Sequence, residues 1–152
     1  RPGQGEAVYV IQIPGPGEGL RVFQSVGSSI SLHAGAVAKA ILAYLPDAER
    51  NEIVEGPLEK LTDTTITDPA ILAHDLDETR ARGYAISREE TYPGVYGIGA
   101  PVFGPGGSVV AGAAIAAPVF RMDSATMLDH ARKVMAVAET VSARIGESGA
   151  TA

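Results

Sequence analysis

The chain contains no cysteine. That excludes a disulfide framework and any thiolate metal site, and it suits a reducing compartment, so the expected location is the cytoplasm. Positive charge is scarce: 12 Lys and Arg stand against 18 Asp and Glu, for a net charge of −6. A surface that grips nucleic acid needs clustered basic side chains, so this stretch is not expected to bind DNA itself. No apolar run approaches the roughly 20 residues of a membrane span, and no membrane partner is expected. The chain opens at Arg1 without a signal-peptide pattern; it reads as a fragment of a longer protein.

Catalytic and metal signatures are missing as well. His33, His74 and His130 form neither HxxxH nor HExxH, so no metal site is expected. They read as a helix-start contact (His33) and as exposed helix positions (His74 and His130). Gly27-Ser-Ser-Ile-Ser31 does not fit the GxSxG nucleophile elbow. Gly97-Ile98-Gly99 is followed by Val102 where a dinucleotide fingerprint needs Gly. Those glycines instead mark close backbone approach or a cavity wall. Glu89 and Glu90 are neighbours in a predicted strand, so they point to opposite faces and cannot share one bond as acid and base. The plainer expectation is an exposed strand end; whichever faced inward would need a partner. No catalytic residue, cofactor or metal is expected, and the chain does not read as an enzyme. An apolar pocket with few polar groups remains, which suits binding.

What is present is a domain-sized chain of 152 residues, 45% hydrophobic, enough for one real core. Its centre is the stretch from Tyr84 to Pro118, which predicts three consecutive strands: Tyr84–Glu90, Val95–Phe103 and Val109–Ala117. Tyr92-Pro-Gly94 and Gly104-Pro-Gly-Gly107 break them, since Gly supplies positive φ and Pro fixes φ. The third strand is nearly all small and apolar, so it is expected to be covered on both faces or to line a cavity. Earlier, Ala7–Ile13 and Leu20–Val26 predict an antiparallel strand pair. Helical spacing then covers Leu32–Leu45, with Ser31 as its cap and Pro46 as its limit, and next Asp47–Val54. Thr62 to Thr67 is a hydroxyl-rich loop. Asp68-Pro69 starts a third helix that Gly83 ends. Asp123 or Ser124 caps a last helix whose apolar face runs from Met127 through Leu128, Ala131, Val134, Met135, Ala138 and Val141 to Ile145. The order ββαααβββα argues an α+β fold with a largely antiparallel sheet flanked by helices. It spans 1–147 as one domain, with 148–152 as a tail.

Taken in order, these residues resemble the effector-binding domain of IclR-family bacterial transcription regulators. The carriers are Leu32-His-Ala34 running into Ala38-Lys-Ala-Ile-Leu-Ala43 and Leu45-Pro46; Leu61-Thr62 with Thr65-Ile-Thr-Asp68; and Leu76 with Thr79-Arg80 and Arg82-Gly-Tyr84. Glu89-Glu90, Gly94-Val95, Ala100-Pro-Val-Phe103, and Pro118 with Arg121 complete the set. It covers roughly Val8 to Ile145. Ala38, Gly104 and Ala117 depart from the family's Gly, Asp and Gly; Ala is easily accommodated in a helix.

The resemblance implies a GAF-like domain that senses a small-molecule effector. It also implies transcription regulation, operator DNA bound only through an N-terminal winged helix-turn-helix absent from this sequence, and homo-oligomers. Carried over position by position, the pocket would lie between the sheet and the helix after Leu32-His-Ala34. Its lining would be Ala36, Val37, Ser87, Val95, Gly97, Ala114 and Ala116. Family members that bind small oxo acids tend to carry Asp and Ser where this chain has Ser87, Ala114 and Ala116. The expected effector is therefore mainly apolar or aromatic, able to carry one carboxylate, which free N–H groups at the helix start near Ala34 to Val37 would hold. Plain core packing of the same residues stays open, as does an enzyme or stand-alone binding domain on the same fold.

Overall fold

The computed structural model describes residues 5–15 and 24–149. The element order is β1 (Glu6–Val8), β2 (Ser29–Ser31), α1 (Ala36–Leu42), α2 (Asp47–Glu55), α3 (Pro69–Arg82), β3 (Ala85–Arg88), β4 (Val95–Phe103), β5 (Val109–Pro118) and α4 (Ser124–Gly149). The expected order of strands and helices is thus met, though not with the same residues throughout.

The central meander folds as its turn signals direct. β4 lies between β3 and β5, antiparallel to both. Its register aligns Ser87, Gly97 and Ala116 in one row and Ala85, Gly99 and Ala114 in the next. Partners across a ladder share a face, and faces alternate along each strand. One face therefore carries Ile98, Ala100 and Val102, which pack with Ala131, Val134 and Ala138 of α4. The opposite face receives α1. Behind α1, a second apolar cluster joins Leu32, Ala38 and Leu42 to Val54, Leu72 and Leu76. The result is three layers: α1 to α3, the sheet, and α4.

Local signals explain the helix ends. Asp68 caps α3, accepting from the N–H groups of Ala70 and Ile71 at 2.8 and 3.1 Å, with Pro69 in the first turn. Gly83 closes it in the left-handed conformation at φ 87°, a region that penalises any Cβ. α2 follows Pro46 and stops before Gly56-Pro57. Asp123, not Ser124, caps α4: its carboxylate accepts from the Thr126 N–H at 2.8 Å. That helix runs through Gly146 to Gly149.

Several expectations need correction. Of the first predicted strand, Ala7–Ile13, only Ala7 and Val8 are strand; they belong to β1, which pairs with Ser29–Ser31. Leu20 to Phe23 lie outside the described residues, and Gln24 to Val26 are not strand. α1 is shorter than Leu32–Leu45, and its cap is Gly35 at φ 92°, not Ser31. β3 ends at Arg88, so Glu89 and Glu90 lie in a bend beyond it. β5 is not covered on both faces: Val110, Ala114 and Ala116 are exposed. On α4, Leu128 and Val141 are exposed, so the continuous apolar face is only partly buried.

Candidate functional site

The first turn of α1 lies directly on the sheet. A Cβ built on Gly99 would come within 2.5 Å of the Ala36 carbonyl oxygen, and one on Gly97 within 3.1 Å of the Ala36 Cβ. These glycines are therefore where helix and strand backbones meet, which is the close-approach reading rather than empty space. A Cβ on Gly112 would meet Val37 at 2.9 Å. Beyond Val37 the same face continues along β5 as Ala114 and Ala116, both exposed.

The seven predicted lining residues therefore gather in one neighbourhood. Ala36 and Gly97 form its closed end, buried against each other. Ser87 is 4% exposed and sits across from Gly97. Val37 and Val95 are half-buried at the margin, and Ala114 and Ala116 form an open apolar floor. The arrangement is a shelf beside α1. Two depressions lie elsewhere: about 280 Å³ among Tyr44, Pro101, Phe103, Met135 and Ser142, and about 240 Å³ among Tyr44, Pro46 and Gly106 to Val109.

Sequence reasoning passed over the charged group behind the shelf. Lys39 is fully buried. Its ammonium donates to Asp75 Oδ2 at 2.7 Å, Glu90 Oε1 at 2.7 Å and the Ile86 carbonyl at 2.8 Å. Arg82 stands 3.9 Å from Asp75, so two cations meet two carboxylates. Burial pushes the Glu90 carboxyl above its ordinary range, against the opposing pull of Lys39 and the Gly35 N–H, while Asp75 adds to the rise. The spacing of Lys39 in an otherwise apolar helix was the available signal, since a buried cation must be paired.

The Gly35 N–H donates to Glu90 Oε2 at 3.3 Å, and the Ala34 N–H reaches the Ser31 carbonyl. The expectation of free donors near the helix start is thus corrected for Ala34 and Gly35. His33 is buried, with Nε2 2.9 Å from the Glu59 carbonyl, and so fixes a loop. His74 is exposed beside Glu78, and His130 is half-buried. Among the described residues no group of His, Cys, Asp and Glu could hold a metal ion, and no helix is long and apolar enough to cross a membrane.

An antiparallel meander with α1 on one face and α4 on the other defines an α+β domain. The chain belongs to the family of bacterial transcriptional regulator IclR C-terminal domains, whose model matches residues 3–143. It is similar to the HTH-type transcriptional regulator BhcR of Paracoccus denitrificans, 37% identical over 139 residues, covering 91% of this chain and 50% of that protein. Among solved structures it is similar to Thermotoga maritima IclR, with TM-score 0.89, 29% identity, and coverage of 94% of this chain and 58% of that one. It is also similar to an inducer-binding domain of the transcription factor PobR from Acinetobacter. That structure is a double mutant in complex with 3-hydroxybenzoic acid, with TM-score 0.69, 27% identity, and coverage of 78% and 69%. The chain spans about half the length of the curated relatives it matches. The fold is the GAF-like one of such domains, which bind effectors in transcription regulators.

Proposed function

We propose that this domain senses a mainly apolar or aromatic effector on the shelf beside α1, and that occupancy changes DNA binding by a helix-turn-helix domain outside this chain. Such control requires different effector affinity in the two DNA-binding states. The observation that carries the reading is the open floor of Ala114 and Ala116, continuous with Val37 and Val95 and uncharged. A flat ring laid there gains about 25 cal/mol per Å² of apolar surface removed from water. A small oxo acid would leave oxygens underpaired among alanines, at about 1–3 kcal/mol for each unsatisfied group. Ser87 supplies one hydroxyl, and the balanced Lys39 cluster offers little net attraction to an anion. A carboxylate on the ring would therefore stay at the solvent side. The aromatic acid held by the PobR inducer-binding domain supports the same chemistry.

Calorimetry on this domain tests the reading. We expect 3-hydroxybenzoate and benzoate to bind more tightly than pyruvate or glyoxylate, and Ala114→Phe to remove aromatic binding. Tighter oxo-acid binding, or an Ala114→Phe variant that binds aromatics normally, would overturn it. The domain also belongs in a homo-oligomer: Val137 and Val141 leave an apolar flank of α4 exposed. Sedimentation should show self-association that Val137→Glu abolishes; a monomer at high concentration would count against this.

A further inference from the structure

The bend after β3 takes no part in the effector contacts proposed above. Glu89 is the one non-glycine residue with positive φ, at 59°, among the described residues. Strain of this kind persists only where surrounding contacts hold it. The hydroxyl-rich loop supplies those contacts: Thr64, Thr62 and Thr65 donate to the successive carbonyls of Arg88, Glu89 and Glu90 at 3.1, 2.7 and 2.7 Å. The Glu89 carboxylate in turn accepts from the Gly94 N–H at 2.6 Å, closing the bend. Held this way, Glu90 turns inward and is 5% exposed.

The buried Glu90 carboxylate spans the first turn of α1. One oxygen takes the Gly35 N–H and the other takes the ammonium of Lys39, one turn further on. That same turn rests on Gly97 through the Ala36 methyl group and on Gly99 through its own backbone. The bend itself joins Ser87 to Val95, two margins of the shelf. We propose that Glu90 is a positioning residue of the effector shelf: it fixes the start of α1 against β4 and so sets the gap above Val95, Ala114 and Ala116. The proposal rests on the shelf being the effector site. The charged groups facing Glu90 are Lys39 from α1 and Asp75 from α3, with Arg82 beyond Asp75.

A pair of variants separates positioning from mere support. In Glu90→Gln the single amide oxygen is drawn to the Lys39 ammonium, and the Gly35 N–H loses its acceptor. In Lys39→Met/Glu90→Gln that oxygen is free to return to Gly35. Amide hydrogen exchange on the ligand-free domain should show Gly35 losing protection roughly tenfold in Glu90→Gln. The double variant should recover it, and the α4 amides should stay unchanged in both. Calorimetry with 3-hydroxybenzoate should follow the same pattern, about tenfold weaker in the single variant and restored in the double. A merely structural pair predicts a double variant worse than the single. That result, or unchanged Gly35 protection in Glu90→Gln, overturns the proposal. If the wild type fails to bind 3-hydroxybenzoate, the ligand class proposed above falls, and the exchange pattern alone decides the role of Glu90. If the double variant does not fold, Gly35 protection in Glu90→Gln decides.

Discussion

Gly99 shows how much one missing side chain can hold in place. Its hypothetical Cβ would stand 2.5 Å from a backbone oxygen, which cannot swing aside as a side-chain tip could. Gly99→Ala should force α1 off the sheet and cost about 1–3 kcal/mol, the usual range for overpacking. Urea denaturation will read this as a lower midpoint; a midpoint equal to wild type would show that α1 does not sit so close. Glu90 makes a different prediction, on pH. Its folded pKa is raised above the ordinary 4.5, first by burial. The folded protein therefore keeps that proton to higher pH than the unfolded chain does. The stability it contributes is fully present below 4.5 and is lost as pH rises through the raised folded value. This is the reverse of the usual carboxylate trend. In a pH series of denaturation curves, the advantage of wild type over Glu90→Gln should shrink as pH increases; an advantage that grows instead would refute the assignment. Neither residue could be ranked from sequence. Gly97 and Gly99 were read as close approach or cavity wall, and only the position of α1 decides between them. The inward turn of Glu90 depends on the bend geometry at Glu89, which strand alternation does not encode.

At the scale of elements, legibility followed the strength of local signals. α3 was readable at both ends because Asp68-Pro69 and Gly83 act through their own backbone neighbours. β4 was readable from Val95 to Phe103 even with Pro101 inside it, since Gly and Pro clusters bound it on both sides. α1 was overcalled. Ala-rich spacing extends the helical pattern back to Leu32, but Gly35 at φ 92° breaks the helix there, and Ser31 belongs to a strand. The N-terminal pairing was misplaced because β-branched content marks a strand without naming its partner. The residues that the resemblance grouped do come together around α1, but the exposure of Ala114 and Ala116 on β5 was not legible in a strand of small apolar residues. Asp68→Ala should cost about 1 kcal/mol, typical of a lost N-cap. Thermal unfolding monitored by circular dichroism will measure it. No change in midpoint would mean that Pro69 alone sets the start of α3.

The whole molecule carries two apolar clusters, one among α1 to α3 and one between the sheet and α4. They lie on opposite sides of the sheet, and the helix layer meets β4 largely through glycine backbone, where few side chains interdigitate. Cooperativity in small proteins comes from shared packing, so a thin seam should let one side open while the other holds. Native-state exchange should therefore divide the amides into two isotherms, with α1 to α3 opening at lower denaturant than β4 and α4; a single merged isotherm would show that the seam transmits packing after all. A molecule lodged beside α1 lies against both sides of that seam. Its main thermodynamic signature would then be not a stiffer sheet but the fusion of two melting units into one.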